Sequence, residues 1–247
     1  MQSNFNEEMP QDESYYILDA KENSNVYLGF QENINEQEFR LQIEKSFHES
    51  VSIQIENYIQ SHKSKKHDFF SIPHGTIHGS GKNNLVLEIS SAPYIFTFKI
   101  YDWLRLDLDG RPRTLNIDRA FRNLDFSRKG DLIKQHINNI KVIYENSDCK
   151  IHCLSTNDEQ YYDVHRIDLK SSFEFKTSDC FSVLSLVEGD SIEVETQNGY
   201  KKRFYYAETF IIPAAAVSFI LTNIAHMPCK LLRVFIKPEY LLNQKTY

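Results

Sequence analysis

Two imidazoles stand four residues apart in the stretch IPHGTIHGSG, residues 72–81, which follows the apolar run DFFSI. His74 and His78 share that turn with three glycines and a proline. A histidine so placed is either a metal ligand or an ordinary turn residue. One imidazole does not make a site, because zinc takes three or four N, O or S ligands, at about 2.0–2.2 Å for N and O. His78 stands where a strand re-enters after the Pro73 turn. Glu13, in DESYYIL with Tyr15 and Ile17 alternating on a strand, is the acid that could join it. Spacing alone supplies no complete ligand set, and it leaves His74 as a loop residue.

Other charges sit in apolar surroundings. Glu88 lies in LVLEIS and Lys99 in FTFKIY. A charge inside such a run is costly unless it is paired or faces a cavity, although alternate residues of a half-solvated strand are simply exposed. Arg105, Arg111 and Arg113 follow closely. A basic trio near a turn is usually surface, yet it also suits a sugar phosphate, since arginine binds phosphate oxygens bidentately.

These groups must be carried on strands. The chain holds 17 Phe and 14 Tyr, and windows at 25–30, 85–90, 94–101, 162–169 and 191–196 alternate apolar with polar residues. Turn signals at 108–110, 188–190 and 197–199 punctuate them. The spacing predicts a mainly β protein of sandwich or barrel type. Phe39, Ile43 and Phe47, then Ile55, Tyr58 and Ile59, fall at helical spacing, so two helices are expected at about 35–46 and 52–61, inserted between strands. A weaker helical patch covers 116–124 and runs on into 130–140. A domain boundary is expected near 145, giving a first domain at 1–145 and a second at 150–247. The segments DFFSIPHGTIH (68–78) and ETFIIPAAAVSFILTN (208–223) share a layout of acid, aromatics, aliphatics, proline and small residues. That weak repeat predicts two related β units in tandem. Where the first has His78 the second has Ser218 or Phe219, so the second is expected to be metal-free.

Composition excludes some roles. A formal net charge of −6 disfavours general binding to nucleic acid or to an anionic membrane. The N-terminus MQSNFNEEMPQDES has neither a basic nor an apolar leader region, and the apolar run at 210–221 is too short to span a bilayer. Cys149, Cys153, Cys180 and Cys229 match no zinc ribbon or redox pair and read as reduced thiols of a cytoplasmic protein.

The run PHGTIHGSGKNNLVLEISSAPYIFTFKIYDWLRLDLDGRPRTLNIDRAF resembles the signature region of class I mannose-6-phosphate isomerases of the bacterial cupin type. The shared features are a proline-containing turn with Gly-Thr-Ile-His, a strand with Leu-Glu-Ile, a Tyr-Asp strand, a Gly-Arg-Pro turn and a Leu-Asn-Ile-Asp-Arg-Ala helix opening. DESYYILDAKENSNVYLGF is similar to the family segment that carries a glutamate ligand, and VLSLVEGDSIEV with TFIIPAAAVSFIL to its second domain. The resemblance implies two cupin-like (double-stranded β-helix, or jelly-roll) barrels, with a small helical insertion in the first. It implies Glu13 and His78 as ligands of zinc or another divalent metal, and Glu88, Lys99 and Arg105 as active-site residues. The implied reaction interconverts mannose 6-phosphate and fructose 6-phosphate by metal-assisted enediolate proton transfer.

The chain departs from the family pattern in three places. No Gln-x-His-Pro motif, which holds the family's other ligands, precedes Glu13. Gln11 stands where the family has a lysine, and Lys99 stands where it has an arginine. The expectation is that this chain is the C-terminal portion of a longer isomerase-like protein, pairing as a homodimer or with a missing N-terminal part. The alternative is a non-catalytic sugar-phosphate-binding cupin or a regulatory subunit.

Overall fold

Residue types at the start of the chain set its first strand. Glu13, Tyr15 and Ile17 alternate with Ser14 and Tyr16 in β1 (Glu13–Ala20), and all five are buried. A β-strand turns successive side chains to opposite faces, so both faces of this strand are covered. The computed structural model describes residues 10–91, 97–154 and 156–241. The chain divides into two units, Met1–Ile137 and Asn138–Tyr247.

In the first unit β1 is followed by β2 (Asn25–Phe30), α1 (Glu36–Glu49), β3 (Ile59–Lys63), β4 (Phe69–Ile72), β5 (His78–Ser80), β6 (Asn84–Ser90) and the short α2 (Ile117–Phe121). Two three-stranded sheets result, in the orders β4-β1-β6 and β3-β2-β5, with every pairing antiparallel. Tyr15, Ile17, Val26, Leu28, Phe70 and Ile72 form the core between them. Gly29 breaks the β2–β3 register at φ +72°, where a Cβ would lie 2.3 Å from Ile133. Only glycine fits that turn, which brings β2 against the 3-10 segment Gly130–His136.

Asn35 caps α1 by accepting from the Glu38 backbone N–H at 3.0 Å, and Glu36 and Glu38 occupy the first turn, where the helix dipole favours acids. The helix buries Phe39 and Ile43 in an aromatic cluster with Phe30 and Phe121, and Phe30 stacks on Phe126 at 4.5 Å. The second helix expected at 52–61 does not form. Ser50 ends α1 in the left-handed region at φ 55°, residues Ile55–Asn57 make one 3-10 turn, and Ile59–Lys63 pairs with β2 as a strand. Ile55 and Ile59 still reach the core, so helical spacing was satisfied by a different backbone. Of the strand expected at 94–101, residues 94–96 lie outside the described residues and 97–101 are irregular; the Lys99 carbonyl accepts from Asn116 instead. The helical patch at 116–140 resolves into α2 and the 3-10 segment.

The second unit carries β7 (Lys141–Glu145), β8 (Cys149–Cys153), β9 (Tyr162–Leu169), β10 (Ser172–Lys176), β11 (Ser182–Glu188), β12 (Ser191–Thr196), β13 (Lys201–Tyr205), β14 (Thr209–Ile212), β15 (Ser218–Asn223), β16 (Cys229–Ile236) and α3 (Pro238–Leu241). The units divide before 145 because β7 pairs with β8. The sheet orders are β14-β11-β16-β9-β8-β7 and β10-β15-β12-β13. Within them, β14-β11-β16 repeats β4-β1-β6, and β15-β12-β13 repeats β5-β2-β3. The two units are therefore built on one strand plan, as the paired proline segments predict. No helix among the described residues is long and apolar enough to cross a membrane.

Phe39 is fully buried among three aromatic neighbours, Phe30, Tyr58 and Phe121, whereas Leu41, on the same helix, is 60% exposed. Phe39→Ala should lower unfolding stability by about 3–5 kcal/mol and Leu41→Ala by less than about 0.5 kcal/mol. Urea unfolding of the two variants followed by circular dichroism checks both.

Candidate active site

Strand β1 places Glu13 beside Ile72 on one side and Ser90 on the other, on the face that carries Tyr15 and Ile17 into the core. Strand β2 sets Leu28 opposite His78, which turns the imidazole to the same interior. Gly75, at φ +78°, lets the chain reverse between Pro73 and β5, and its carbonyl accepts from Asp125. Two segments far apart in sequence thus converge: Glu13 Oε2 lies 2.9 Å from His78 Nε2.

The carboxylate is 5% exposed and needs its partner. Burial alone would raise the Glu13 carboxyl, but the hydrogen bond and charge of His78, with hydrogen bonds from Gln11 and Thr97, outweigh it and hold the group below its ordinary value. Burial alone would lower the His78 imidazole, but Glu13, the Thr76 carbonyl and Glu88 hold it above its ordinary value. His78 Nδ1 donates to the Thr76 carbonyl at 2.9 Å. A carbonyl can only accept, so Nδ1 carries a proton. Nε2 then either carries a second proton toward Glu13 or turns its lone pair to a cation between them.

The pair opens onto a cavity of about 430 Å³. Gln11 lines it, donating to Glu13 Oε1 at 2.5 Å and to Thr97 at 3.0 Å, while its own Oε1 is buried and accepts no hydrogen bond among the described residues. Imidazole, carboxylate and an orphaned amide oxygen are the donor types a borderline or hard divalent ion takes. Two ligands on a tetrahedral zinc with bonds of 2.0–2.2 Å stand about 3.3–3.6 Å apart, so a small opening of the 2.9 Å pair would admit an ion. The residues present fit a divalent metal.

The remaining candidates are placed unevenly. Lys99 lines the cavity and is the only lysine or arginine that does so among the described residues. It lies 3.6 Å from Asp102, which Arg113 also meets at 2.8 Å. Glu88 sits across from Tyr15 and so shares the inner face with Glu13. Burial, then the Glu13 charge, raises its carboxyl, against a lowering by His78. It is nonetheless exposed and does not line the cavity. Arg105 is exposed, with its guanidinium 6.0 Å over the indole of Trp103, and it is Trp103 that reaches the cavity wall. His74 lines the cavity and has a defined partner: its backbone N–H and its Nδ1 both meet Asp12 Oδ1, at 2.8 and 2.9 Å. Gln11, Trp103 and the His74–Asp12 contact were not picked out as site features from sequence. The acid pair Asp12-Glu13, next to Gln11, was the available signal.

No protein-family model matches the chain. The probable mannose-6-phosphate isomerase GmuF of Bacillus subtilis is 26% identical over 209 residues, 85% of this chain and 60% of that protein. The crystal structure of a mannose 6-phosphate isomerase from Bacillus subtilis superposes with a TM-score of 0.74 at 23% identity, covering 94% of this chain and 67% of that one. A mannose 6-phosphate isomerase crystallised with zinc and yttrium gives a TM-score of 0.56 at 10% identity, covering 92% of this chain and 66% of that one. The chain spans about three fifths of the length of the curated relatives it matches. In sequence the chain is similar to proteins named mannose-6-phosphate isomerases, and its mainly β, cupin-like fold is similar to that of their solved structures.

Proposed function

We propose that this chain carries the Glu13–His78 half of a sugar-phosphate isomerase site, which interconverts mannose 6-phosphate and fructose 6-phosphate. The observation that supports this most is the convergence of Glu13 and His78 at 2.9 Å on the wall of a cavity large enough for a hexose phosphate. Glu13 and His78 would hold a divalent metal, which would supply Lewis-acid polarisation of the sugar carbonyl. Zinc is the favoured ion, in line with the zinc in a solved relative.

The chain's own groups then have separate tasks. Thr76 fixes the His78 tautomer through Nδ1. Lys99 offers the substrate phosphate a point charge, with Asp102 holding the ammonium in place. Isomerisation moves one proton from C2 to C1 while O2 loses a proton and O1 gains one. Glu88, on the inner face beside Glu13 but outside the cavity wall, is assigned the task of orienting the Glu13–His78 pair rather than of moving the proton at carbon. Arg105 acts behind Trp103 as a supporting charge. A cytoplasmic location agrees with a phosphorylated substrate and with four cysteines that form no disulfide.

Metal content by elemental mass spectrometry, run beside an isomerase assay, tests the reading. His78→Ala should hold one ion fewer per chain than the natural protein and should lose turnover. Sugar-phosphate binding without turnover in the metal-loaded chain would leave a non-catalytic binding protein, and no binding at all would remove both. Lys99→Met should raise KM for mannose 6-phosphate by about tenfold to a hundredfold, the worth of one charge-assisted contact. An unchanged KM would take the phosphate away from Lys99.

A further inference from the structure

The second unit brings Cys153, Asp163 and His165 together, with one ligand atom of each within 4.8 Å of the others. Cys153 ends β8 directly opposite His165 of β9, and Asp163 precedes His165 by two residues, so all three share one face. Ile151 and Ile167, two positions along the same strands, lie in the core, so this is the unit's inner face. The group is no copy of the Glu13–His78 pair. By the shared strand plan, Ser182 faces Ile212 as Glu13 faces Ile72, and Ser218 opens β15 as His78 opens β5.

The distances carry the inference. Cys153 Sγ is 3.6 Å from Asp163 Oδ2, and His165 Nε2 is 3.5 Å from that same oxygen. An imidazolium–carboxylate hydrogen bond closes to about 2.7–2.9 Å, so the second contact is too open for one. A tetrahedral zinc with bonds of about 2.3 Å to sulfur and about 2.0–2.2 Å to nitrogen and oxygen has sulfur–oxygen edges of about 3.6 Å and nitrogen–oxygen edges of about 3.3–3.6 Å, and both spacings to Asp163 Oδ2 match them. The other carboxylate oxygen is held from behind: Asp163 Oδ1 accepts from the Val164 N–H at 2.9 Å and from Thr156 Oγ1 at 3.2 Å. Such outer contacts aim a ligand. The Phe235 ring packs edge-on against His165 at 4.8 Å. Arg233, across from His165, is committed elsewhere, to Ser182 Oγ at 2.9 Å and the Lys176 carbonyl at 3.1 Å.

We propose that Cys153, Asp163 and His165 form a second metal site, separate from Glu13 and His78, that takes a borderline divalent cation such as zinc with its fourth position open to water. Thiolate with imidazole selects such an ion over magnesium or calcium. The inference runs against the expectation of a metal-free second unit and does not rest on the isomerase reading.

Cobalt(II) titration of the full chain under a non-thiol reductant reads it directly. Thiolate ligation gives a near-ultraviolet charge-transfer band, and the Glu13–His78 pair contains no sulfur. The band should saturate at one cobalt per chain, survive in His78→Ala and vanish in Cys153→Ser. Asp163→Asn, which keeps the thiol, should weaken cobalt binding at least about tenfold, so the test stands even if Cys153→Ser fails to fold. No band in the natural chain, a band that persists in a folded Cys153→Ser, or affinity unchanged in Asp163→Asn would overturn the proposal.

Discussion

A buried carboxylate has to be answered by a positive or hydrogen-donating group, and the first unit is arranged around two of them in succession. Asp12 is 1% exposed and Glu13 is 5% exposed. Being adjacent, they turn in different directions, and each finds its own histidine from the same turn: His74 for Asp12 and His78 for Glu13. Leaving either acid unpaired in the interior would cost on the order of kilocalories per mole. The turn from Pro73 through Gly75 and the register of β5 against β2 are what bring both imidazoles into reach. The two histidines are therefore one device with two roles. One ties down a buried acid at the cavity edge, and the other pairs with the carboxylate that faces into the cavity.

The same strand plan supports a different interior in each unit. The positions of Glu13 and His78 become Ser182 and Ser218 in the second, and Arg233 donates to Ser182. Polar chemistry on the inner face has moved to β8 and β9, where Cys153 meets Asp163 and His165. Cys149 and Cys229 of that unit do not share this setting. Burial pushes Cys149 up to about 12 and Cys229 up to about 11, so both are inert core groups at neutral pH. One sheet topology can thus place ionisable groups at different strand positions while its apolar layer of Ile, Leu and Phe stays continuous.

The strand at NVYLGF and the helical spacing of Phe39 and Ile43 were legible in the sequence, because local periodicity points their apolar residues to the core, whereas ESYYILDA is buried on both faces and its alternation of residue types does not show that. Also legible was the layout shared by the two proline segments, which the repeated strand orders explain. Spacing misled at 52–61, where Ile55 and Ile59 satisfy the core from a 3-10 turn and a strand. Three or four residues separate inward-facing positions in more than one backbone, and pairing with β2 decided which was used.

The sequence by itself determined the residue types at hand, the mainly β class and the likeness that singled out Glu13 and His78. Tertiary structure alone decided which groups meet. Glu13 and His78 lie 65 residues apart in the chain yet 2.9 Å apart in space. Arg105, close in sequence to the cavity-lining Lys99, is exposed and does not line the cavity. Strand alternation fixes which face a side chain takes, but only the register between strands brings two such faces together, and register is a property of the whole sheet.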